Sequence, residues 1–175
     1  MAFSIDFAAA YTVLAILLVC TFFTATNAIS AGLTVSYAGE LEPLAEGIGD
    51  VLLKDAGDPS DWYFSPSAAR SPTIIGLSTG DPNILSTYKV DGLYMFNASA
   101  LKKAAGLDDE KEQYGLRLEI NTSDGSISRT AGYPLPPDTK DVCKSVRIAS
   151  IKDEDGIYRD AVLYVYLWRK DVGAQ

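Results

Sequence analysis

Hydrophobic and polar positions are distributed very unevenly along this chain. Among the first 40 residues only Asp6 and Glu40 carry charge, and no Lys or Arg occurs before Lys54. The uncharged run from Phe7 to Ala38 predicts a helix about 48 Å long at ~1.5 Å per residue, against about 30 Å of bilayer hydrocarbon. Small residues recur through it (Ala8, Ala9, Ala10, Ala15, Ala25, Ala28, Ala31, Gly32), which permits close helix–helix approach.

Beyond Gly39 helical periodicity continues in amphipathic form. Leu41, Leu44, Ala45, Ile48 and Leu52 share one face, with Glu40, Glu42, Glu46, Asp50 and Lys54 around the rest. Pro43 is expected to interrupt this helix or to open a second one. The stretch "DAGDPSD" (55–61) then stops it. The chain divides on this pattern into residues 1–54, a hydrophobic then amphipathic helix, and residues 55–175, a soluble head.

The head reads as β-rich. "YGLRLEIN" (114–121) alternates Leu116, Leu118 and Ile120 with Arg117, Glu119 and Asn121, a strand with one wet face. "TSDGS" turns with Asp-Gly at its tip, and "ISRTAG" returns as a second strand. "CKSVRIASI" (143–151) and "IYRDAVLYVYLW" (157–168) form another pair joined by "KDEDG". In the last strand Ala161, Leu163, Val165 and Leu167 are expected to pack on the amphipathic half of the helix. The opposite face carries Tyr158, Val162, Tyr164, Tyr166 and Trp168. The expected fold class is therefore α+β: a long N-terminal hydrophobic α-helix followed by a small antiparallel β-rich head.

Composition narrows the chemistry. The net charge of −8 disfavours nucleic acid as a partner, because phosphates are neutralised by Lys and Arg. With no histidine, Ser-His-Asp and Cys-His nucleophile systems and His-ligated zinc are excluded. Cys20 and Cys143 follow no metal or redox spacing. "KDEDG" lacks the ligand spacing and distal Glu of a calcium loop and reads as a solvated hairpin tip. No cofactor and no enzymatic activity are expected. Two sequons, Asn97-Ala-Ser and Asn121-Thr-Ser, are candidates for N-linked glycans. Asn121 lies beside a turn, and Asn97 is also placed to cap the short helix of "ASALKKAAG".

The stretch "AFSIDF" (2–7) before a long apolar helix resembles the mature N-terminus of archaeal type IV pilin-like proteins, with Ser4, Asp6 and Phe7 on the family pattern. "NILSTYKVDGL" (83–93) and "YRDAVLYVYLWR" (158–169) are similar, more loosely, to the heads of small members of that family. Ala2 stands where the family has Gln, and Met1 precedes it where the family carries a basic leader. The resemblance implies a structural subunit of an extracellular filament, held in the cell membrane before assembly and serving surface adhesion. It implies a helical homo-oligomer whose assembly uses an ATPase and a membrane platform. It also implies that Asp6 pairs with the α-amine of a neighbouring subunit and sets the axial register, with Ala2, Ser4 and Phe7 at the same contact. The bland alternative places Asp6 in the first helical turn, where the helix dipole favours an anion, with Ser4 as cap. The alternative class is a membrane-anchored extracytoplasmic binding or sensor domain, or a minor pilin. A carboxylate-dependent enzyme on a stalk is the third.

Overall fold

The computed structural model describes residues 5–64, 72–107, 114–137 and 142–170; within the first helix, side chains are described for residues 14–24 and from 39 onward. Helix α1 (Ile5–Lys54) contains Pro43 without ending there. A proline at this position cannot donate to the carbonyl four residues earlier, that of Gly39. The boundary between two compact units, Met1–Gly39 and Glu40–Gln175, falls next to the same residue.

In the second unit the last turns of α1 lead through a loop to a 3₁₀ turn (Trp62–Phe64). Strand β1 (Ile84–Ser86), helix α2 (Thr87–Gly92), a 3₁₀ turn (Leu93–Met95) and helix α3 (Ala98–Ala104) follow. Four longer strands complete the chain: β2 (Tyr114–Thr122), β3 (Ser128–Gly132), β4 (Val142–Lys152) and β5 (Tyr158–Arg169). They form one sheet in the order β1-β4-β5-β2-β3.

One face of this sheet holds the core. Leu116, Leu118 and Ile120 of β2 lie beside Leu167, Val165 and Leu163 of β5 in register. The aliphatic row of β5 and Leu41, Ala45, Ile48 and Leu52 of α1 belong to one buried cluster. A period of two in the strand and of 3.6 in the helix put both sets inside together. Trp62 joins the same core, donating Nε1–H to the Gly76 carbonyl at 3.1 Å. At the far end of the sheet Gly115 leaves room for Trp168, whose ring would overlap a Cβ at that position. Gly125 takes a φ of 72° at the tip of the β2–β3 turn, a conformation that disfavours side chains.

The expected fold class needs correction in two respects. The apolar helical stretch whose side chains are described, residues 14–24, is eleven residues long. Among the described residues no helix is long and apolar enough to cross a membrane, and the expected long apolar, membrane-spanning helix is corrected to that extent. Beyond Gly39 α1 is amphipathic, as its pattern predicted, with Glu40, Glu42 and Glu46 exposed and Leu41, Ala45, Ile48 and Leu52 buried, but Leu44, expected on the buried face, is exposed. The sheet is also mixed and not purely antiparallel, because β1 pairs parallel to β4, Ile84 opposite Ser150 through Ser86 opposite Lys152. A three-residue edge strand has too little alternation to announce its pairing. Its direction is set by where the chain enters the sheet.

Candidate functional site

Two exposed surfaces stand out. The first is on α1. Leu14, Ile16, Leu17, Leu18, Val19, Phe22 and Phe23 are 57–73% exposed. At 100° per residue these positions are spread around the whole circumference, so no polar face remains to meet water. The hydroxyls in the stretch are satisfied within the helix itself. Thr21 donates to the Leu18 carbonyl, and Thr24 to those of Cys20 and Thr21, each at 3.0 Å. Buried polar groups are costly unless hydrogen-bonded, and these two already are. The segment can therefore enter apolar surroundings with no orphaned polar atom from Thr21 or Thr24.

The second surface is the sheet face opposite the core. Register places its side chains in cross-strand rows. Asn121, Val162 and Ile148 form one, Glu119, Tyr164 and Val146 the next, and Arg117, Tyr166 and Lys144 the third. Arg117 Nε donates to Glu119 Oε1 at 2.7 Å, and Tyr166 Oη donates to Glu119 Oε2 at 3.3 Å. Lys144 Nζ stands 4.3 Å from the Tyr164 ring centroid, and the two tyrosine rings stack at 6.3 Å. Ile148 and Val146 are 80% and 47% exposed at the aliphatic end. The tyrosine row foreseen along β5 is thus a wet, half-buried face engaged by charges, with Trp168 folded down over Gly115.

Of the residues singled out from sequence, Ala2 and Ser4 lie outside the described residues. Asp6 and Phe7 fall within α1, but their side chains are outside the described set. Asn97 caps α3: its Oδ1 accepts from Ala100 N at 2.7 Å. Asn121 stands on the outer sheet face, where its Oδ1 accepts from Ser128 Oγ at 2.8 Å. Among the described residues no group of three His, Cys, Asp or Glu could hold a metal ion. At the "KDEDG" tip Asp153 is engaged locally, accepting from Ile157 N at 2.8 Å and from Arg159 Nη2 at 3.4 Å.

The charges that matter structurally were not foreseen from sequence. Arg159 joins Asp153 of one hairpin tip to Asp124 of the other, its Nη1 3.0 Å from Asp124 Oδ2. Hydrogen bonds from Thr122, Ser126 and Arg159 hold the Asp124 carboxyl well below the usual carboxylate range. Lys89 is buried, donating to the Ala56 and Ser78 carbonyls at 2.7 Å each. Burial lowers its pKa, with Asp55 opposing. Cys143 sits near Glu42 and Glu46 on α1, and burial pushes its thiol up, the two carboxylates adding to the effect. A thiol so placed is a poor nucleophile.

Comparison with family models, with curated proteins and with solved structures finds no match to this chain, and nothing in those comparisons identifies a type IV pilin.

Proposed function

We propose that the chain is a structural subunit that polymerises through its N-terminal helix into an extracellular type IV pilus-like filament of the archaeal kind, serving surface adhesion. One observation carries the reading. Residues 14–24 expose large apolar side chains around the full circumference of a helix whose threonine hydroxyls are already bonded internally. A helix apolar all round is stable only when covered, and neighbouring copies of the same helix are suitable cover. The contact needed is repetitive and heterologous, which yields an open helical polymer. The reading does not require that the segment cross a bilayer.

The resemblance of "AFSIDF" (2–7) to the family pattern supports the same reading. In a packed helical core the Asp6 carboxylate needs a cationic partner, and the α-amine of a neighbouring chain provides one. The acidic head suits an outer coat, since a net charge of −8 keeps assembled surfaces from associating sideways.

The test is assembly of the full chain carrying Leu17→Glu and Phe22→Glu together. Wild-type protein is expected to form sedimentable filaments visible by negative-stain microscopy. The double variant should stay small while its near-ultraviolet dichroism is unchanged. Filaments formed equally well by the variant would overturn the reading. So would failure to find the chain, by peptide mass spectrometry, in filaments sheared from the surface of the cells that make it.

A further inference from the structure

The aliphatic end of the outer sheet face begins at a sequon. Asn121 is opposite Val162 in the β2–β5 register, and Val162 is opposite Ile148 in the β4–β5 register. The three side chains thus form one straight row across three strands, with Ile148 about 10 Å from Asn121 at two strand spacings of ~4.8 Å. Among the described residues Ile148, at 80% exposure, is the most exposed large hydrophobic side chain. Val146, on the next row, is exposed too. Ile148 stands near the middle of β4 with its side chain in solvent.

One end of the Asn121 side chain is held by a hydrogen bond. Its carbonyl Oδ1 is engaged by Ser128 Oγ, which turns that oxygen towards β3. Asn121 itself is half-buried on the outer sheet face, and among the described residues its Nδ2, the atom that would carry a sugar, makes no hydrogen bond. The third sequon residue, Ser123, is exposed just beyond the end of β2. The Asn121 carbonyl keeps its bond to Ser128 after substitution at nitrogen, because a secondary amide oxygen still accepts.

We infer that Asn121 carries an N-linked glycan whose first sugars lie along the Val162–Ile148 row and cover it. In the transfer, a bond forms between Asn121 Nδ2 and the anomeric carbon of a sugar supplied on a lipid-linked phosphate. The anomeric C–O bond to that phosphate breaks, the phosphate leaves with the electron pair, and one amide proton is lost to base. Nothing is oxidised or reduced. The apolar faces of pyranose rings match the methyl groups of Val162 and Ile148, while their hydroxyls face water. The next row offers Glu119 as a hydrogen-bond acceptor and the half-exposed Tyr164 ring as a stacking surface. The inference rests on the extracellular reading above, because that is where such a glycan is acquired.

Full-length protein from the cells that make it should yield an Asn121 peptide carrying a sugar mass. Ser123→Ala, which leaves Asn121 and its bond to Ser128 in place, should abolish that mass and raise binding of an apolar fluorescent probe severalfold. Adding Ile148→Ser to Ser123→Ala should return probe binding to the wild-type level. A bare Asn121 in protein that external protease reaches on intact cells would overturn the inference alone. Protein that external protease never reaches would overturn the extracellular reading and the inference with it. A glycan on Asn121 with unchanged probe binding in Ser123→Ala would overturn its covering role.

Discussion

Arg147, in the middle of β4, sets its Nε 3.2 Å from Oδ1 of Asp50 on α1. The same guanidinium lies 3.8 Å from Glu46 one turn earlier, and its stem passes over Gly49, where a Cβ would stand 3.3 Å away. The relationship pins the amphipathic turns of α1 to the sheet. Each partly exposed ion pair is worth ~0.2–1 kcal/mol, and the stem adds packing. Arg147→Ala is expected to lower stability by about 1–2 kcal/mol, summing two such pairs and the lost stem contacts. Denaturant titration in low and high salt checks it: the pair contribution should shrink in 1 M salt, where the screening length is ~3 Å.

Gly115 and Trp168 test the close packing at the end of β2. Because a Cβ at Gly115 would overlap the indole ring, Gly115→Ala should cost about 1–3 kcal/mol through forced displacement of Trp168. Tryptophan fluorescence and the denaturation midpoint should both move. An unchanged midpoint would mean that the ring has room to swing aside.

Acid should loosen the sheet end clasped by Arg159. The Asp124 carboxyl is held well below its ordinary value, first by the Thr122 hydroxyl and then by Ser126 and Arg159. Asp50 is lowered in the same direction by Lys54 and Arg147. A carboxylate depressed in the folded state contributes stability that is fully present above its unfolded pKa and is lost as pH falls towards the folded one. Stability should therefore be flat near neutral pH and decline as pH falls below about 4, the unfolded carboxylate range. Asp124→Asn should be less stable than wild type at pH 7 and show a shallower decline, measured as denaturation midpoints between pH 7 and pH 2.

Lys89 is a buried cation of the head, and its two carbonyl partners belong to separate loops, at Ala56 and Ser78. Lys89→Met leaves both carbonyls without their charged donor, at about 1–3 kcal/mol for a group left unsatisfied. Removing a buried charge returns some desolvation free energy. The net expectation is a loss of stability together with faster amide exchange in residues 55–57 and 76–80. A more stable variant would show that desolvation outweighs the two bonds.

Several elements were legible from residue pattern alone. Alternation in "YGLRLEIN" and "AVLYVYLW" located β2 and β5 and separated their buried and wet faces, because a strand with one solvated face must alternate. The Asp-Gly of "TSDGS" marked the turn that Asp124 and Gly125 make. Of the face read as Leu41, Leu44, Ala45, Ile48 and Leu52, all but the exposed Leu44 join the buried cluster with the sheet. Each of these depends on neighbours within about ten residues.

What local pattern could not decide was anything that joins distant parts. Ile-Leu-Ser of β1 is too short to show a period, and its parallel pairing with β4 depends on the whole intervening chain. Arg159 closing on Asp124, and Lys89 reaching two loops, require positions that sequence distance leaves independent. The row Asn121–Val162–Ile148 exists only once three strands take their register, so the sequon and the apolar strip beside it were unrelated until the sheet formed. The sequence by itself determined the periodicities, turns and caps, because those are set by local sterics and hydrogen bonding. Tertiary structure alone decided sheet order, the charged clasps and which exposed side chains share a surface, because loop closure brings together residues that no local rule connects.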